Sequence, residues 1–475
     1  MATPAVTRDV PRPGAEPTAK RAAKVADRVV EDVLAAGWPV GQVLGSETEL
    51  LEHYEVSRAV FREAVRLVEH QQVARTRRGP GGGLVVTEPT VGAVIDAVVL
   101  YLHRVEAPLD EVFEARVVLE EIACQLASER AQETDRAEFR RMAQSTALDP
   151  DDPGELHTLV ARVSRNPALE LFVDVLNRVA FLYSHDAQDL GASVAEDTLR
   201  AHVDIARALS EADAVTARSR MRVHLRDEAD AFRRRRSTRQ LLPDAAVLAQ
   251  SAPGKGAEAV ARSITRKIVA EDLLPGALVG TEPELTAREG VSRALLREAV
   301  RLLEYHQIAR MRRGPGGGLF VVAPRADAVT DVAAIYLARR GMKIPELAEL
   351  RTDVEVAIAE LAAARVNASG VARLHEAMTR EEEDAIAGRA DAAYLLHAAV
   401  AEVARNRVLH LVALVLIRLS RLHQADRLPA KAQKQIRAEV LRTHAGIIEA
   451  IEAADPEKAR ERMQQHLEAL AALMR

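Results

Sequence analysis

The stretch VSRAVFREAVRL over residues 56–67 returns as VSRALLREAVRL over residues 291–302. Downstream of each copy lies the same glycine-rich segment, RRGPGGGL, over residues 77–84 and 312–319. The offset between the copies is 235 residues, nearly half of the 475-residue chain. Self-similarity at this distance indicates a tandem duplication, so each half should contain the same fold and the same kind of site.

Each copy predicts a small three-helix head with a hairpin. Apolar residues at helical spacing from 21 to 36 predict a first helix, and Ser46 with Glu49 forms a capping-box pattern for a short second one. Ser57 is placed to N-cap a third helix. Two short β-prone runs flank the glycine-rich segment, which is the pattern of a β-hairpin wing. The parts together predict a winged helix-turn-helix.

The third helix of the head carries its positive charge on one face, because its arginines follow one another at steps of four. Six arginines accompany two glutamates between Arg58 and Arg78, and the same count holds between Arg293 and Arg313. The net charge of the whole chain is -5, so the basic surface is local. Such a helix suits phosphates and guanine edges in the major groove. In one isolated helix, a solvated face with surface ion pairs would be the alternative; its repetition favours DNA binding.

The rest of the chain is predicted to be helical. Aromatic residues make up only 3% of it and apolar residues 48%, a composition that excludes disorder throughout and a membrane protein. Long amphipathic patterns follow each head. We therefore predict a mainly α chain with two winged helix-turn-helix domains, each followed by an all-α helical bundle. The predicted boundaries are a flexible tail at 1–17, heads at 18–90 and 257–324, helical domains at 91–236 and 325–475, and a linker at 237–256.

Three histidines recur in each helical domain, and the last two are 22 residues apart in both. Histidines from different helices of a bundle can converge on Zn²⁺ or a similar divalent ion. Hydrogen-bonded histidines without a metal are the alternative, since the tight spacing of strong zinc motifs is missing. The candidate metal ligands are His157, His202 and His224 in the first domain and His397, His444 and His466 in the second.

These features resemble a known family. The heads are similar to the winged helix-turn-helix of the GntR family of bacterial transcription regulators, and the helical domains resemble the FCD effector domain of its FadR-type branch. The resemblance implies DNA contacts through Arg58, Arg62, Gly79, Arg293, Arg297 and Gly314. The arginine stripe, the capping serines and the wing add Ser57, Arg66, Arg78, Ser292, Arg301 and Arg313 to the predicted DNA-binding residues.

The same resemblance implies an effector cavity in each helical domain. Arg116 and Arg351 occupy equivalent positions and would face a small carboxylate or acyl metabolite, whereas an ion pair within the helix is the default interpretation. The family pattern also has an aspartate four residues before the first histidine. Here Pro153 and Ala393 stand at those positions, so the acidic ligand of the family is absent from both halves.

The DNA-binding pattern and the resemblance together imply a transcription regulator and not an enzyme. The duplication adds that one chain supplies both heads. We expect a metabolite-responsive repressor that acts as a covalent pseudo-dimer on an imperfect inverted repeat of double-stranded DNA. A homodimer with four heads stays open, as do an architectural DNA binder without an effector and a histidine-based metalloenzyme. The single Cys124 and the lack of a signal-peptide pattern predict a cytoplasmic protein without a membrane partner.

Overall fold

The computed structural model describes residues 18–77, 79, 81–148, 154–184, 192–235, 256–271, 273–305, 308–312, 314, 316–322, 326–387, 394–424 and 430–473. The chain divides into two compact units, one ending at Pro89 and the other beginning at Thr90. The first unit contains one head, and the second contains the other head and both helical domains. None of the described helices has the length and apolar character needed to cross a membrane.

The first head is three helices with a small antiparallel sheet. Its elements are α1 (Thr18–Ala35), β1 (Val43–Gly45), α2 (Glu47–His53), α3 (Arg58–His70), β2 (Ala74–Arg77) and β3 (Gly83–Val86). The strand order is β1-β3-β2, so the wing strands β2 and β3 gain a third partner that the sequence analysis did not predict. A strand of three residues carries too little alternation to be recognised from sequence.

Short-range hydrogen bonds that the sequence predicts start two helices of this head. The backbone N–H of Ser46 donates to Glu49 Oε2 over 2.7 Å, and the N–H of Glu49 donates to Ser46 Oγ over 3.3 Å, which completes a capping box for α2. Ser57 Oγ accepts from the N–H of Val60 and caps α3. The indole of Trp38 donates to the carbonyl of Thr87 over 2.7 Å, which joins the segment after α1 to the segment after the wing.

The second head repeats this arrangement. Its elements are α11 (Ala257–Ala270), β4 (Leu278–Gly280), α12 (Glu282–Glu289), α13 (Arg293–Tyr305), β5 (Ala309–Arg312) and β6 (Gly318–Val321), with strand order β4-β6-β5; α4–α10 precede it in the chain and are given below. Thr281 and Glu284 form its capping box. Ile264, Ile268, Leu285 and Leu296 belong to a continuous apolar core, and burying each such side chain stabilises the head by about 1.5–3 kcal/mol.

Within the residues that the structure describes, each helical domain is a bundle of seven helices. The first consists of α4 (Val91–Arg104), α5 (Leu109–Arg130), α6 (Glu133–Met142), α7 (Glu155–Val163), α8 (Pro167–Ser184), α9 (Ala192–Ser210) and α10 (Ala214–Arg235). The second consists of α14 (Ala326–Arg339), α15 (Ile344–Arg365), α16 (Ala368–Ile386), α17 (Leu395–Val403), α18 (Arg407–Gln424), α19 (Ala430–Glu452) and α20 (Pro456–Leu473). The helices α5 and α15 are central, since they pack against α7, α8 and α10 and against α17, α18 and α20.

The two helical domains contact each other through charged pairs. At the end of α15, Arg365 pairs with Glu114 of α5, with one Nη1 to Oε2 distance of 2.9 Å. At the end of α5, Arg130 pairs with Glu349 of α15. At the 235-residue offset of the duplication, Arg365 corresponds to Arg130 and Glu349 to Glu114. Each domain therefore supplies the arginine of one pair and the glutamate of the other. Contacts that exchange the roles of two subunits in this way are the signature of a two-fold relation.

Two asparagines repeat the same exchange. In the sequence, Asn166 followed by Pro167 predicts a helix N-cap. Asn166 does cap α8, because its Oδ1 accepts from the N–H groups of Ala168 and Leu169. Its Nδ2 reaches across to the carbonyl of Glu346 in the second domain, over 3.0 Å. Asn406 caps α18 and reaches back to the carbonyl of Glu111, also over 3.0 Å. These buried amides therefore fix the register between the two domains as well as two helix starts.

Candidate functional site

The arginines of α3 form an exposed basic face on the first head. Arg58 and Arg62 share one partner, Glu47 Oε1 at the start of α2, at 3.2 and 3.3 Å. Arg66 Nη1 lies 2.8 Å from Glu63 Oε2. The three arginine side chains are 66–75% exposed, so these ion pairs are weak and can exchange for phosphate oxygens at little cost. Glu47 therefore contacts both Arg58 and Arg62 on this exposed face.

A groove of about 590 Å³ lies between α2, α3 and the wing of the first head. Arg62, Arg66, Arg77 and Gly79 are among the residues that line it. Gly79 has φ +101°, a conformation that side chains disfavour, and nothing lies within 4 Å of the place where its Cβ would be. The wing tip therefore presents bare backbone, which can approach a phosphate closely. Arg78, also predicted to bind DNA, lies outside the described residues.

The second head offers the same surface on α13. Arg297 Nε lies 3.1 Å from Glu282 Oε1, the counterpart of the Glu47 contact, and its side chain is 67% exposed. Ser292 Oγ accepts from the N–H of Leu295 and caps the helix. Arg293 and Arg301 are exposed on the same helix. Gly314 has φ +98°, with open space around it, whereas Arg313 lies outside the described residues.

In the first helical domain the structure brings all three predicted histidines together. His224 Nε2 of α10 lies 3.2 Å from His202 Nε2 of α9 and 3.3 Å from His157 Nε2 of α7. All three rings are buried. The Nδ1 of His157 faces the Glu120 carboxylate, so the proton of this ring belongs on Nδ1 and its Nε2 lone pair points at the other two histidines.

The second helical domain repeats this cluster. His466 Nε2 lies 3.2 Å from His444 Nε2 and 3.3 Å from His397 Nε2. Behind the rings, His397 Nδ1 faces Glu355, and His444 Nδ1 lies 2.7 Å from Glu381 Oε2. With their Nδ1 protons directed to carboxylates, His397 and His444 turn their Nε2 lone pairs to the centre of the cluster.

The geometry of both clusters fits a divalent metal. Two nitrogens held at about 2.0–2.1 Å from a tetrahedral Zn²⁺ are about 3.3 Å apart, which matches the observed Nε2 separations. The three candidate ligand atoms of each cluster all lie within 4.8 Å of one another. Burial lowers the pKa of His202, His224, His444 and His466, which favours the neutral imidazole that a metal ion requires. The same separations also fit hydrogen bonds in which one neutral imidazole donates its Nε2–H to the next, which is the metal-free alternative.

The predicted effector arginines lie behind the clusters. Arg116 Nε donates to Glu120 Oε1 over 2.7 Å, so the intrahelical ion pair exists, and Glu120 also contacts His157. Burial alone would raise the pKa of Glu120, but Arg116 and His157 together lower it to about 2. Arg351 stands in the same relation to Glu355. Arginine, glutamate and histidine thus form one buried chain of contacts in each domain.

The sequence analysis did not place carboxylates beside the histidine clusters. Glu120 and Glu355 are the predicted ion-pair partners of Arg116 and Arg351, but their contacts with His157 and His397 were missed. Glu228 has a local signal, since it follows His224 by four residues on one helix, whereas Glu381 reaches His444 from another helix and has none. Pro153 and Ala393, which replace the aspartate of the family pattern, lie outside the described residues.

Known proteins match both halves of the chain. The family model described as FCD domain matches residues 111–227 and 346–469, together just over half of the chain. The Uxu operon regulator of Haemophilus influenzae is 27% identical over 205 residues, which cover 40% of this chain and 70% of that relative. Among solved structures, Streptococcus agalactiae GntR is 24% identical with a TM-score of 0.34, and the match covers 46% of this chain and 99% of that one. A putative GntR transcriptional regulator from Rhodococcus sp. RHA1 is 24% identical with a TM-score of 0.23, covering 46% and 95%.

The family matches fall on the two helical domains, α5–α10 and α15–α20. Each domain follows a winged helix-turn-helix head in the chain. The chain belongs to the family described by the FCD domain and carries that domain twice.

Proposed function

We propose that this protein is a metabolite-responsive repressor that binds an imperfect inverted repeat as a covalent pseudo-dimer. The observation that carries the proposal is the reciprocal contact between the two helical domains. Each domain donates from one arginine and one asparagine to acceptors of the other domain, at equivalent positions. Two-fold regulators present two recognition helices to half-sites about one helical turn apart. Here α3 and α13 are those helices, and both belong to one chain.

On DNA, the exposed arginines of α3 and α13 exchange their glutamate partners for the duplex. Arg58 and Arg293 begin the two helices and are nearest to the base edges, since the N-terminal residues of a recognition helix make base contacts. Arg62 and Arg297 follow one turn later, beside the phosphates. The two heads have diverged in α2 and α12, where Thr48 corresponds to Pro283, so the two half-sites are expected to differ.

In the helical domains the histidine clusters would hold Zn²⁺ or a similar divalent ion, which supplies a point of attraction for an oxygen ligand. The chain's own carboxylates orient the rings for this purpose. Substituting Glu381→Gln should therefore weaken zinc binding in the second domain about tenfold or more, with the first domain unaffected. Competition with a chromophoric chelator measures both sites, and equal affinities before and after the change would contradict this role.

Effector binding is coupled to the heads through the central helices. The helix α5 carries Arg116 and Glu120 towards the histidine cluster and Glu114 towards the second domain. A ligand that shifts α5 therefore acts on the interdomain contacts as well. Coupling then follows from unequal affinity of the effector for two arrangements of the domains, and hence of the heads.

The test is selection of fragmented genomic DNA from the source organism by the purified full chain at near-physiological salt. We expect enrichment of a shared sequence with two related half-sites, and loss of that enrichment in the Arg58→Ala/Arg293→Ala variant. Equal retention of unrelated fragments would instead show an architectural binder, which depends on phosphate contacts alone. Light scattering of the protein on its selected site distinguishes one chain of 51.8 kDa from a homodimer of twice that mass.

A further inference from the structure

The two helical domains differ in how they satisfy their buried arginine. In the first domain Arg116 has two carboxylates, with Nε 2.7 Å from Glu120 Oε1 and Nη1 3.1 Å from Glu228 Oε2. In the second domain Arg351 has the equivalent Nε contact with Glu355, and its Nη1 reaches only the hydroxyl of Ser420, at 3.4 Å. Both arginine side chains are at least 95% buried. Among the described residues, the buried arginine of the first domain therefore has a second carboxylate partner, and that of the second domain has a hydroxyl instead.

The sequence explains the difference. Glu228 stands four residues after His224 on α10, and the residue four after His466 on α20 is Leu470. Besides the long Nη1 contact with Ser420, Arg351 has a buried Nη2 from which none of the residues that the structure describes accepts a hydrogen bond. A buried guanidinium donor without an acceptor is costly, and an anion at that position would relieve the cost.

Glu228 shows that the space between the guanidinium and the histidine cluster can hold a carboxylate. Its Oε2 contacts Arg116 and lies 4.0 Å from His224 Nε2, so one carboxylate oxygen borders both the arginine and the histidine cluster. We propose that Glu228 is a built-in substitute for the effector's carboxylate in the first domain, and that only the second domain takes a free carboxylate ligand, between Arg351 and its histidine cluster. This inference rests on the proposed function.

The chemistry around Arg351 agrees with a vacant carboxylate position. Ser420 places a hydroxyl beside the guanidinium, whereas the corresponding residue of the first domain is Ala180. The Tyr394 ring lies 5.3 Å from the Arg351 guanidinium carbon and closes another side. A ligand entering the first domain would have to displace Glu228, which is tethered beside Arg116 and so competes at high effective concentration.

The test uses the full chain loaded with zinc, after the metal content of each variant is measured. Acetate, succinate and benzoate are titrated by calorimetry, and the tightest probe is used for all variants. Wild-type protein should bind one carboxylate per chain. Glu228→Leu should bind two, because it gives the first domain the residue of the second. The converse change, Leu470→Glu, should weaken binding about tenfold or more by supplying an internal carboxylate.

Each outcome decides between the ideas. Two carboxylates per wild-type chain would overturn the inference while leaving an effector-responsive regulator intact. One carboxylate that survives Leu470→Glu and is lost in Arg116→Ala would also overturn it, because the ligand would then be in the first domain. If no carboxylate binds to wild type or to either exchange variant, the carboxylate effector of the proposed function fails together with the inference, and selection of operator DNA still tests the regulator itself.

Discussion

Removing one arginine should loosen the contact between the helical domains. Arg365 places both Nη atoms on the Glu114 carboxylate, and its Nη1 also donates to the carbonyl of Ala404 over 2.9 Å. The two side chains are 33% and 28% exposed, which is between a surface pair worth up to about 1 kcal/mol and a buried pair whose disruption costs about 3–5 kcal/mol. We expect Arg365→Ala to cost roughly 2 kcal/mol. For the cooperative unfolding of Thr90–Arg475 this corresponds to a fall in Tm of about 2.5 °C.

The assay is differential scanning calorimetry of the full chain with a matched control. Arg442 pairs with Glu439 on the same helix and its side chain is 71% exposed, so Arg442→Ala should leave Tm unchanged. Glu114→Ala should cost a similar amount, because Asn406 Nδ2 donates to this carboxylate over 2.8 Å just as Arg365 Nη1 donates to the Ala404 carbonyl. The double variant Glu114→Ala/Arg365→Ala should cost less than the sum of the single changes.

The two-fold relation adds an internal check. Arg130 makes the equivalent contact with Glu349, so Arg130→Ala should lower Tm by a similar amount. The reasoning is refuted if Arg365→Ala behaves like the exposed control, or if the double variant is additive. Either result would mean that the reciprocal ion pairs do not hold the domains together.

Two further changes test the first head and the interdomain region. Gly83→Ala would place a Cβ 2.4 Å from the carbonyl oxygen of Gly45, so the first head should lose about 2 kcal/mol or more; fluorescence of Trp38, the only tryptophan of the chain, follows its unfolding in urea, and an unchanged midpoint would contradict the packing of β1 on β3. Asp353 has its pKa raised to about 6 by burial and by the carboxylate of Glu349, so the folded protein binds this proton more tightly than the unfolded chain and stability is lost as the pH rises from about 4 to about 6. Asp353→Asn should therefore raise Tm at neutral pH, with the difference vanishing near pH 4; a difference independent of pH would contradict this.

The parts of the fold with local signals could be predicted from the sequence. Ser46 and Ser57 start helices by accepting hydrogen bonds from residues three positions later, and such short-range chemistry is visible in the sequence itself. The strand Val43–Gly45 was missed because it depends on pairing with β3, about forty residues away. The prediction that Asn166 caps a helix agrees with the structure. Its hydrogen bond to the carbonyl of Glu346 joins two domains, and no local sequence pattern predicts such a contact.

For the candidate site, the sequence predicted the histidines of each cluster but not the residues around them. The 22-residue interval between His202 and His224 recurs between His444 and His466, and this repetition was enough to select the histidines that the fold brings together. What the rings face on their other side depends on packing between distant helices. The carboxylate of Glu381, which lies 63 residues before its histidine, illustrates why the surroundings of the clusters had to come from the structure.

The reciprocal surface of α5 and α15 also bears on how the protein responds to its own abundance. Regulators assembled from two separate chains lose active molecules on dilution, because two chains must associate before they can occupy an operator. When both surfaces belong to one polypeptide, their encounter is intramolecular and its effective concentration is set by the chain between them. Under the proposed pseudo-dimer, a cell with few copies keeps every copy paired, and occupancy of the operator at low concentration should rise in proportion to the protein concentration instead of to its square.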